Sequence, residues 1–171
     1  MDFRVAGPDD AEGIARAHVD GWQWGYRGLM PDSYLDGLDW ADRLDRWRAT
    51  LRDPGPTRTH VAVADGLICG LVHSGPVRDD DLVPVSFHEV YSLYVSAVAA
   101  GTGAGARLLS LGVEGAPPTS PGTVVWVLEG NLRARAFYER HGFVLDGASK
   151  DYEWGGVRLS DVRMRRVPSP G

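Results

Sequence analysis

One cysteine, Cys69, is all the chain has. That count excludes an internal disulfide and a cysteine-built zinc site, and it suits a reducing, cytoplasmic setting. His18, His60, His73, His88 and His141 show no metal-ligand spacing, so no metal is expected. The N-terminus, MDFRVAGPDD, carries acids where a secretory signal needs a basic region and an apolar core. No apolar run approaches the length of a membrane span, so no membrane is expected as a partner. No internal repeat is present. Basic residues are also in deficit: 18 Lys and Arg stand against 23 Asp and Glu, a net charge of −5. That balance argues against a broad nucleic-acid surface and suits a small cationic substrate.

What is present reads as one globular domain. The 171 residues are 43% hydrophobic and 24% charged, enough for a substantial core. The domain is expected over 1–167, with a flexible, frayed tail from Pro168 to Gly171. A short strand at Phe3–Val5 precedes a helix from about Asp9 to Tyr26, opened by Pro8 and two acids. Pro31 and Asp32 open a second helical stretch, and a third runs from about Asp39 to Leu51. Arg58–Ala64 and Leu67–Ser74 form a hairpin around Asp65-Gly66, a strong two-residue turn signal. Phe87–Val95 is the longest strand candidate, followed by a helix from Gly103 to about Val113. Thr123–Leu128 is a buried strand by its apolar run. A helix spans Asn131 to His141, with Asn131 as N-cap and Gly142 as its stop. Phe143–Ala148 and Val157–Arg166 close the chain as antiparallel strands. The sum is an α/β (α+β) domain, a mixed sheet flanked by helices with one strand–helix–strand crossover from Glu89 to Leu128.

Three stretches carry chemistry. Ala99-Ala-Gly-Thr-Gly-Ala-Gly-Ala106 lies between strand and helix. Its small side chains let an anion reach the backbone, and the first helical turn offers unpaired N–H groups, so it reads as a pyrophosphate cradle. No Gly-Lys-Ser/Thr follows, so it is not a P-loop. Gly101, Gly103 and Ala106 also satisfy the G-x-G-x-x-A dinucleotide fingerprint, with Glu129 at the end of the next strand. That rival reading, an oxidoreductase, suffers because half the chain precedes the loop and only one strand–helix–strand unit follows. In the second stretch, period-two alternation sets Glu89, Tyr91, Leu93 and Val95 on one face and Val90, Ser92 and Tyr94 on the other. Glu89 is a candidate general base whose pKa partial burial would raise; spacing alone leaves a solvated strand-start Glu equally open. In the third, Asn131, Ala134 and Tyr138 share a helix face, a polar–small–polar stripe fit to line a ligand channel.

The order of these motifs resembles the GNAT superfamily of acyl-CoA-dependent N-acetyltransferases, bacterial type. Leu93-Tyr94-Val95 leads into Ala100-Gly101-Thr102-Gly103-Ala104-Gly105, and Asn131 heads a helix ending Phe137-Tyr138-Glu139-Arg140-His141-Gly142-Phe143. The stretch AHVDGWQWGYRGLMPDSYLDGL is similar to the N-terminal helices of bacterial members. The resemblance implies a central, mostly antiparallel sheet of about seven strands flanked by about four helices, with a V-shaped splay between the fourth and fifth strands. It implies that acetyl-CoA lies in that gap against Leu93, Tyr94 and Val95, with the Leu93 N–H on the thioester oxygen. The amides from Ala100 through Gly101, Thr102, Gly103, Ala104, Gly105 and Ala106 would hold the pyrophosphate. Asn131, Ala134 and Tyr138 would line the pantetheine arm. Tyr138 would protonate the leaving thiolate, and Glu89, directly or through water, would take the proton of an amine acceptor. Trp22, Trp24, Tyr26 and Arg27 lie where members border the acceptor, and a homodimer is compatible with the resemblance. The usual Arg or Gln of the loop is Ala100 here, which removes one cofactor contact and keeps a non-catalytic acyl-CoA sensor as an alternative. Trp126 and Trp154 are expected in packing or at a rim, His18 in helix packing, Cys69 inert, and Arg163, Arg165 and Arg166 on a solvated strand edge.

Overall fold

The computed structural model describes residues 1–154 and 156–167, so the tail from Pro168 to Gly171 lies outside the described residues. Along the chain come β1 (Asp2–Val5), α1 (Ala11–Gly25), α2 (Asp32–Asp36), α3 (Ala41–Arg52), β2 (Arg58–Ala64) and β3 (Leu67–Pro76). There follow β4 (His88–Val95), α4 (Ala104–Glu114), β5 (Thr123–Leu128), α5 (Leu132–Arg140), β6 (Val144–Trp154) and β7 (Val157–Arg166). The strands form one sheet in the order β1-β2-β3-β4-β5-β7-β6. Its neighbours are antiparallel except β4 and β5.

The β2–β3 turn shows how closely local chemistry sets geometry. Asp65 and Gly66 both take positive φ, 50° and 78°, as a tight hairpin turn with the strands' own twist requires. Period two then sends Leu71 and Val72 to opposite faces. Leu71 meets Ile14, Ala17 and Trp47 of α1 and α3. Val72 meets Leu108 and Leu109 of α4. Each of those fully buried leucines removes enough apolar surface to contribute about 1.5–3 kcal/mol. The sheet is therefore sandwiched, with α1 and α3 on one face and α4 and α5 on the other.

Three features depart from the sequence reading. The last but one strand, expected to stop at Ala148, runs to Trp154. A register shift between Leu145 and Ser149 bends it, and the polar run Ser149–Glu153 continues paired to β7. That run has few apolar residues because most of the edge strand β6 is exposed. Second, β7 is interior to the sheet, so Arg163 is not on a solvated edge. It is 6% exposed and pairs with Asp79 at 3.1 Å, Asp81 at 2.7 Å and Asp146 at 2.7 Å.

The third departure lies in β4. Its pairing with β3 shifts register at His73/Ser74, so that Ser92 faces His73 and Val90 faces Ser74, with Tyr91 left over. The extra residue breaks strict alternation. Val90 joins Leu93 and Val95 on the α4 side, while Tyr94 packs towards α1. Glu89, opposite Val90, is thereby parted from the Leu93 face that period two had given it.

Gly21 lets α1 close onto this strand, since a Cβ there would stand 2.7 Å from the Tyr94 Cβ. Gly21→Ala is expected to lower unfolding stability by about 1–3 kcal/mol through overpacking, read as a fall in the midpoint of denaturant unfolding.

Candidate functional site

The parallel pairing of β4 with β5 covers only His88–Thr123, Glu89–Val124 and Val90–Val125. Beyond that the strands part, and a cleft of about 450 Å³ opens between them on the α4–α5 side. The Ser96 N–H donates to Cys69 O on β3. Alternation then turns the Val95 and Leu93 amides away from β3, into the gap. The Leu93 N–H is thus a backbone donor facing the cleft without a strand to receive it.

At one end of the cleft the chain turns through Ala100 into α4. Gly101 and Gly103 take φ of 75° and 89°, a region L side chains rarely adopt, and the space beside both is open. The amides of Gly101, Gly103, Gly105 and Ala106 have no acceptor among the described residues. Four free donors beside a helix N-terminus make a concave anion site. Thr102 and Ala104 brace this loop and do not line it. Thr102 Oγ1 donates to Ala99 O at 2.7 Å, and Ala104 is packed into the core. Ala100 lines the cleft as a methyl group. The residues present fit a pyrophosphate through backbone alone.

The opposite wall is α5. Asn131 caps it, its Oδ1 accepting the Ala134 N–H at 3.0 Å, which leaves the side-chain NH₂ for the cleft it lines. Ala134 and Tyr138 share that wall. Tyr138 is buried edge-on to Phe137 and Phe143, and burial raises its phenol above the ordinary tyrosine pKa. Its hydroxyl has no hydrogen-bond partner among the described residues. Arg133, Phe137 and Arg140 line the cleft as well, on the same helical face, and were missed. Their spacing of three and four residues was the available signal. Trp24 lines this cleft too, under the Arg133 guanidinium at 3.6 Å.

A second cavity of about 360 Å³ lies across the gap, under α1 and against the β6–β7 hairpin. The two share Tyr26, Tyr91, Tyr94 and Trp126 as walls. Trp22 and Tyr26 therefore stand in a pocket next to the cleft, while Arg27 is outside both, paired with Asp32 at 3.1 Å and Asp36 at 2.8 Å. Trp126 is a wall of both cavities, its Nε1 donating to Asp79 at 2.8 Å. Trp154 is at the rim, donating to the Tyr34 hydroxyl. Tyr152 and Asp161 also line this pocket and went unread in the sequence. Nothing in a single Asp on a strand marks it until the sheet order is known.

Glu89 lines neither cavity. It is 2% exposed, and Arg78 grips both its oxygens: Nη2 to Oε1 at 2.6 Å, with Nε and the backbone N–H to Oε2 at 3.2 and 3.0 Å. The Arg78 guanidinium lies 4.2 Å over the Tyr91 ring, whose hydroxyl donates to Pro76 O. His18 stacks on Tyr94 at 4.7 Å and accepts from Trp47 Nε1, and burial pulls its pKa down to about 3. It is a neutral packing residue. Cys69 is buried against Ala62 O, with its thiol pushed up by burial, away from the thiolate. Among the described residues no group of acids, histidines and cysteines could hold a metal, and no helix is long and apolar enough to cross a membrane.

Residues 19–143 match the family model described as acetyltransferase (GNAT) family. The chain is 29% identical over 165 residues to the uncharacterized N-acetyltransferase YuaI of Bacillus subtilis, covering 94% of this chain and 90% of that one. Among solved structures, the ribosomal-protein-alanine N-acetyltransferase from Brucella melitensis superposes with a TM-score of 0.70 at 21% identity, over 98% of this chain and all of that one. The PaiA N-acetyltransferase from Thermoplasma acidophilum, solved in complex with coenzyme A, gives 0.67 at 15% identity, over 98% and 100%. At such identities the two structures are alike in fold.

Proposed function

The chain belongs to the GNAT acetyltransferase family, and from that premise we propose that it moves an acetyl group from acetyl-CoA to a primary amine by direct attack in a ternary complex. The observation that carries this reading is the pair of cavities meeting at the β4–β5 splay. One has backbone donors suited to a phosphorylated carrier, and the other is a separate pocket for an acceptor. Acetyl-CoA supplies the chemistry as an activated thioester. The free amides of Gly101, Gly103, Gly105 and Ala106 hold its pyrophosphate, and the Asn131 side-chain NH₂ and Ala134 border the pantetheine arm. The Leu93 N–H, fixed by the sheet before any ligand arrives, donates to the thioester oxygen as negative charge builds there. Tyr138 enters protonated and is the donor available to the leaving sulfur.

An alkyl ammonium with an ordinary pKa near 10 must lose a proton before it attacks. With both oxygens on Arg78, Glu89 has no direct path to that proton, which passes to solvent water before the neutral amine attacks. In this reading it holds Arg78 against Tyr91 and shapes the acceptor wall. A second reading, an acyl-CoA-binding protein without turnover, rests on Ala100, which offers no side chain to the phosphates. Calorimetry with acetyl-CoA and a free-thiol assay over an amine panel test both. Thiol release with any amine supports the transferase, and tight binding with none supports the sensor.

Tyr138→Phe is expected to lower kcat by about 10²–10⁴-fold with the unfolding midpoint unchanged, because the hydroxyl has no partner to lose. An undiminished kcat removes Tyr138 from the acid's role. Asn131→Asp keeps the cap and should keep thermal stability while weakening coenzyme A binding, whereas Asn131→Ala should lose both, the cap being worth about 1 kcal/mol. Glu89→Gln is expected to lower thermal stability by about 1–3 kcal/mol, as a charge-assisted contact to Arg78 is lost. Its kcat should stay within about tenfold; a fall of 10²-fold or more at unchanged stability would return Glu89 to the base's role.

A further inference from the structure

The second cavity has an unusual lining. Trp22 meets Tyr26 with ring centroids 5.0 Å apart, Trp154 at 5.4 Å and Tyr94 at 6.4 Å. Trp126 and Tyr152 add two more rings. Such an array lines one small volume with aromatic rings, a setting that suits an organic cation with an apolar body.

The charges on the wall support the same ligand. Two cations line the pocket, and a carboxylate neutralises each. Arg78 is on Glu89 at 2.6 Å, and the Lys150 ammonium is on Asp79 at 2.7 Å while lying 3.7 Å over the Trp126 ring. One acid on the wall has no such partner. Asp161 takes a single hydrogen bond, from the Tyr152 hydroxyl to Oδ1 at 3.0 Å, and no cation lies within ion-pair distance of it among the described residues. Its pKa is raised by burial, as expected of a carboxylate waiting for a counter-ion.

Its position along the sheet is informative. The last β4–β5 pair is Val90–Val125, and Leu128 is paired with Asp161 on β7. With Tyr91 bulged out, Leu93 is two ladder steps beyond Val90, and Leu128 is three beyond Val125. Asp161 therefore stands about one residue past the level of the Leu93 amide, one strand beyond the gap. An ammonium drawn to it is in the pocket that shares the walls of Tyr26, Tyr91, Tyr94 and Trp126 with the cleft where the thioester is read to lie.

We propose that this pocket selects, as acetyl acceptor, a small primary ammonium carried on an aromatic or branched apolar body, with the cationic nitrogen against Asp161 and the body among the rings of Trp22, Tyr26, Tyr94, Trp126, Tyr152 and Trp154. The inference rests on the acetyltransferase reading for the words "acetyl acceptor" and on the pocket alone for the ligand class. One uncompensated carboxylate suits one positive charge, which disfavours polyamines. Neutralised Arg78 and Lys150 leave no free cation for a substrate carboxylate, which disfavours amino acids. A volume of about 360 Å³ is at the small end of small-molecule sites.

Two measurements test this. In the first, tryptophan fluorescence is titrated with 2-phenylethylamine and with its neutral isostere 2-phenylethanol, without acetyl-CoA. The amine should saturate at least tenfold below the alcohol, and Asp161→Asn should abolish the difference. Equal binding of the two, or an unchanged preference in Asp161→Asn, overturns the proposal whatever the enzyme does. In the second, thiol release from acetyl-CoA is followed with 2-phenylethylamine, spermidine and phenylalanine. The first should lead in kcat/KM by tenfold or more. Asp161→Asn should raise its KM by 10–100-fold with the KM for acetyl-CoA unmoved, and Trp154→Leu, at the exposed rim, should raise it less. A lead for spermidine or phenylalanine overturns the proposal. Selective amine binding without thiol release for any amine supports the pocket's ligand class and counts against the transferase reading instead.

Discussion

The site depends on one interruption: the hydrogen-bond ladder between β4 and β5 ends at Val90–Val125, and the sheet does not close again. A central sheet normally satisfies every backbone donor and acceptor, because buried ones left alone are costly. Here the chain keeps several strand groups open. Tyr91, displaced into a bulge, and Trp126, across the gap, stand where pairing would resume and wall both cavities. Gly21 lets α1 press against Tyr94 from the other side. A ligand with its own amides can then complete the ladder that the protein leaves unfinished.

Charge around this gap is handled in two clusters, each built on buried groups (Glu89 in one, Arg163 with Asp79 and Asp146 in the other) and completed by exposed partners. Arg78 and Glu89 form one, and Arg163 with Asp79, Asp81, Asp146 and Lys150 form the other. Both contain residues of the short stretch 78–81, which has little apolar surface to fix it. Buried ion pairs are poor sources of net stability, because desolvation offsets most of the attraction. Their value is geometric, because each guanidinium fork donates to its carboxylates in few orientations. The stretch is thereby pinned to β4 on one side and to β6 and β7 on the other.

Much of this was legible in the residues. The hairpin at Asp65-Gly66, the Gly-rich turn into α4, and Asn131 as a helix cap each follow from local backbone chemistry, so short-range patterns located them well. The implied splay also matches the strand pairing. What sequence could not supply were facts of register and neighbourhood. A bulge at Tyr91 leaves no mark in an alternating strand, yet it decides which way Glu89 faces. Arg163 looked solvated because strand order, which makes β7 interior, is set by partners far away in sequence. Asp161 and Tyr152 escaped notice for the same reason, their significance arising only when a strand hairpin meets α1.

Arg163 and Asp161 are two residues apart on β7, so their side chains leave the same face of the strand. The guanidinium that gathers three acids therefore also immobilises the segment on which the lone pocket carboxylate is mounted. A ligand arriving there meets a wall whose ordering was completed during folding, and it spends little of its binding free energy on stiffening the protein. Discrimination in such a pocket comes from the fixed positions of ring faces and charge. Ligands that differ by one methylene should then be separated by fit to a rigid mould, whereas a softer wall would adjust to both.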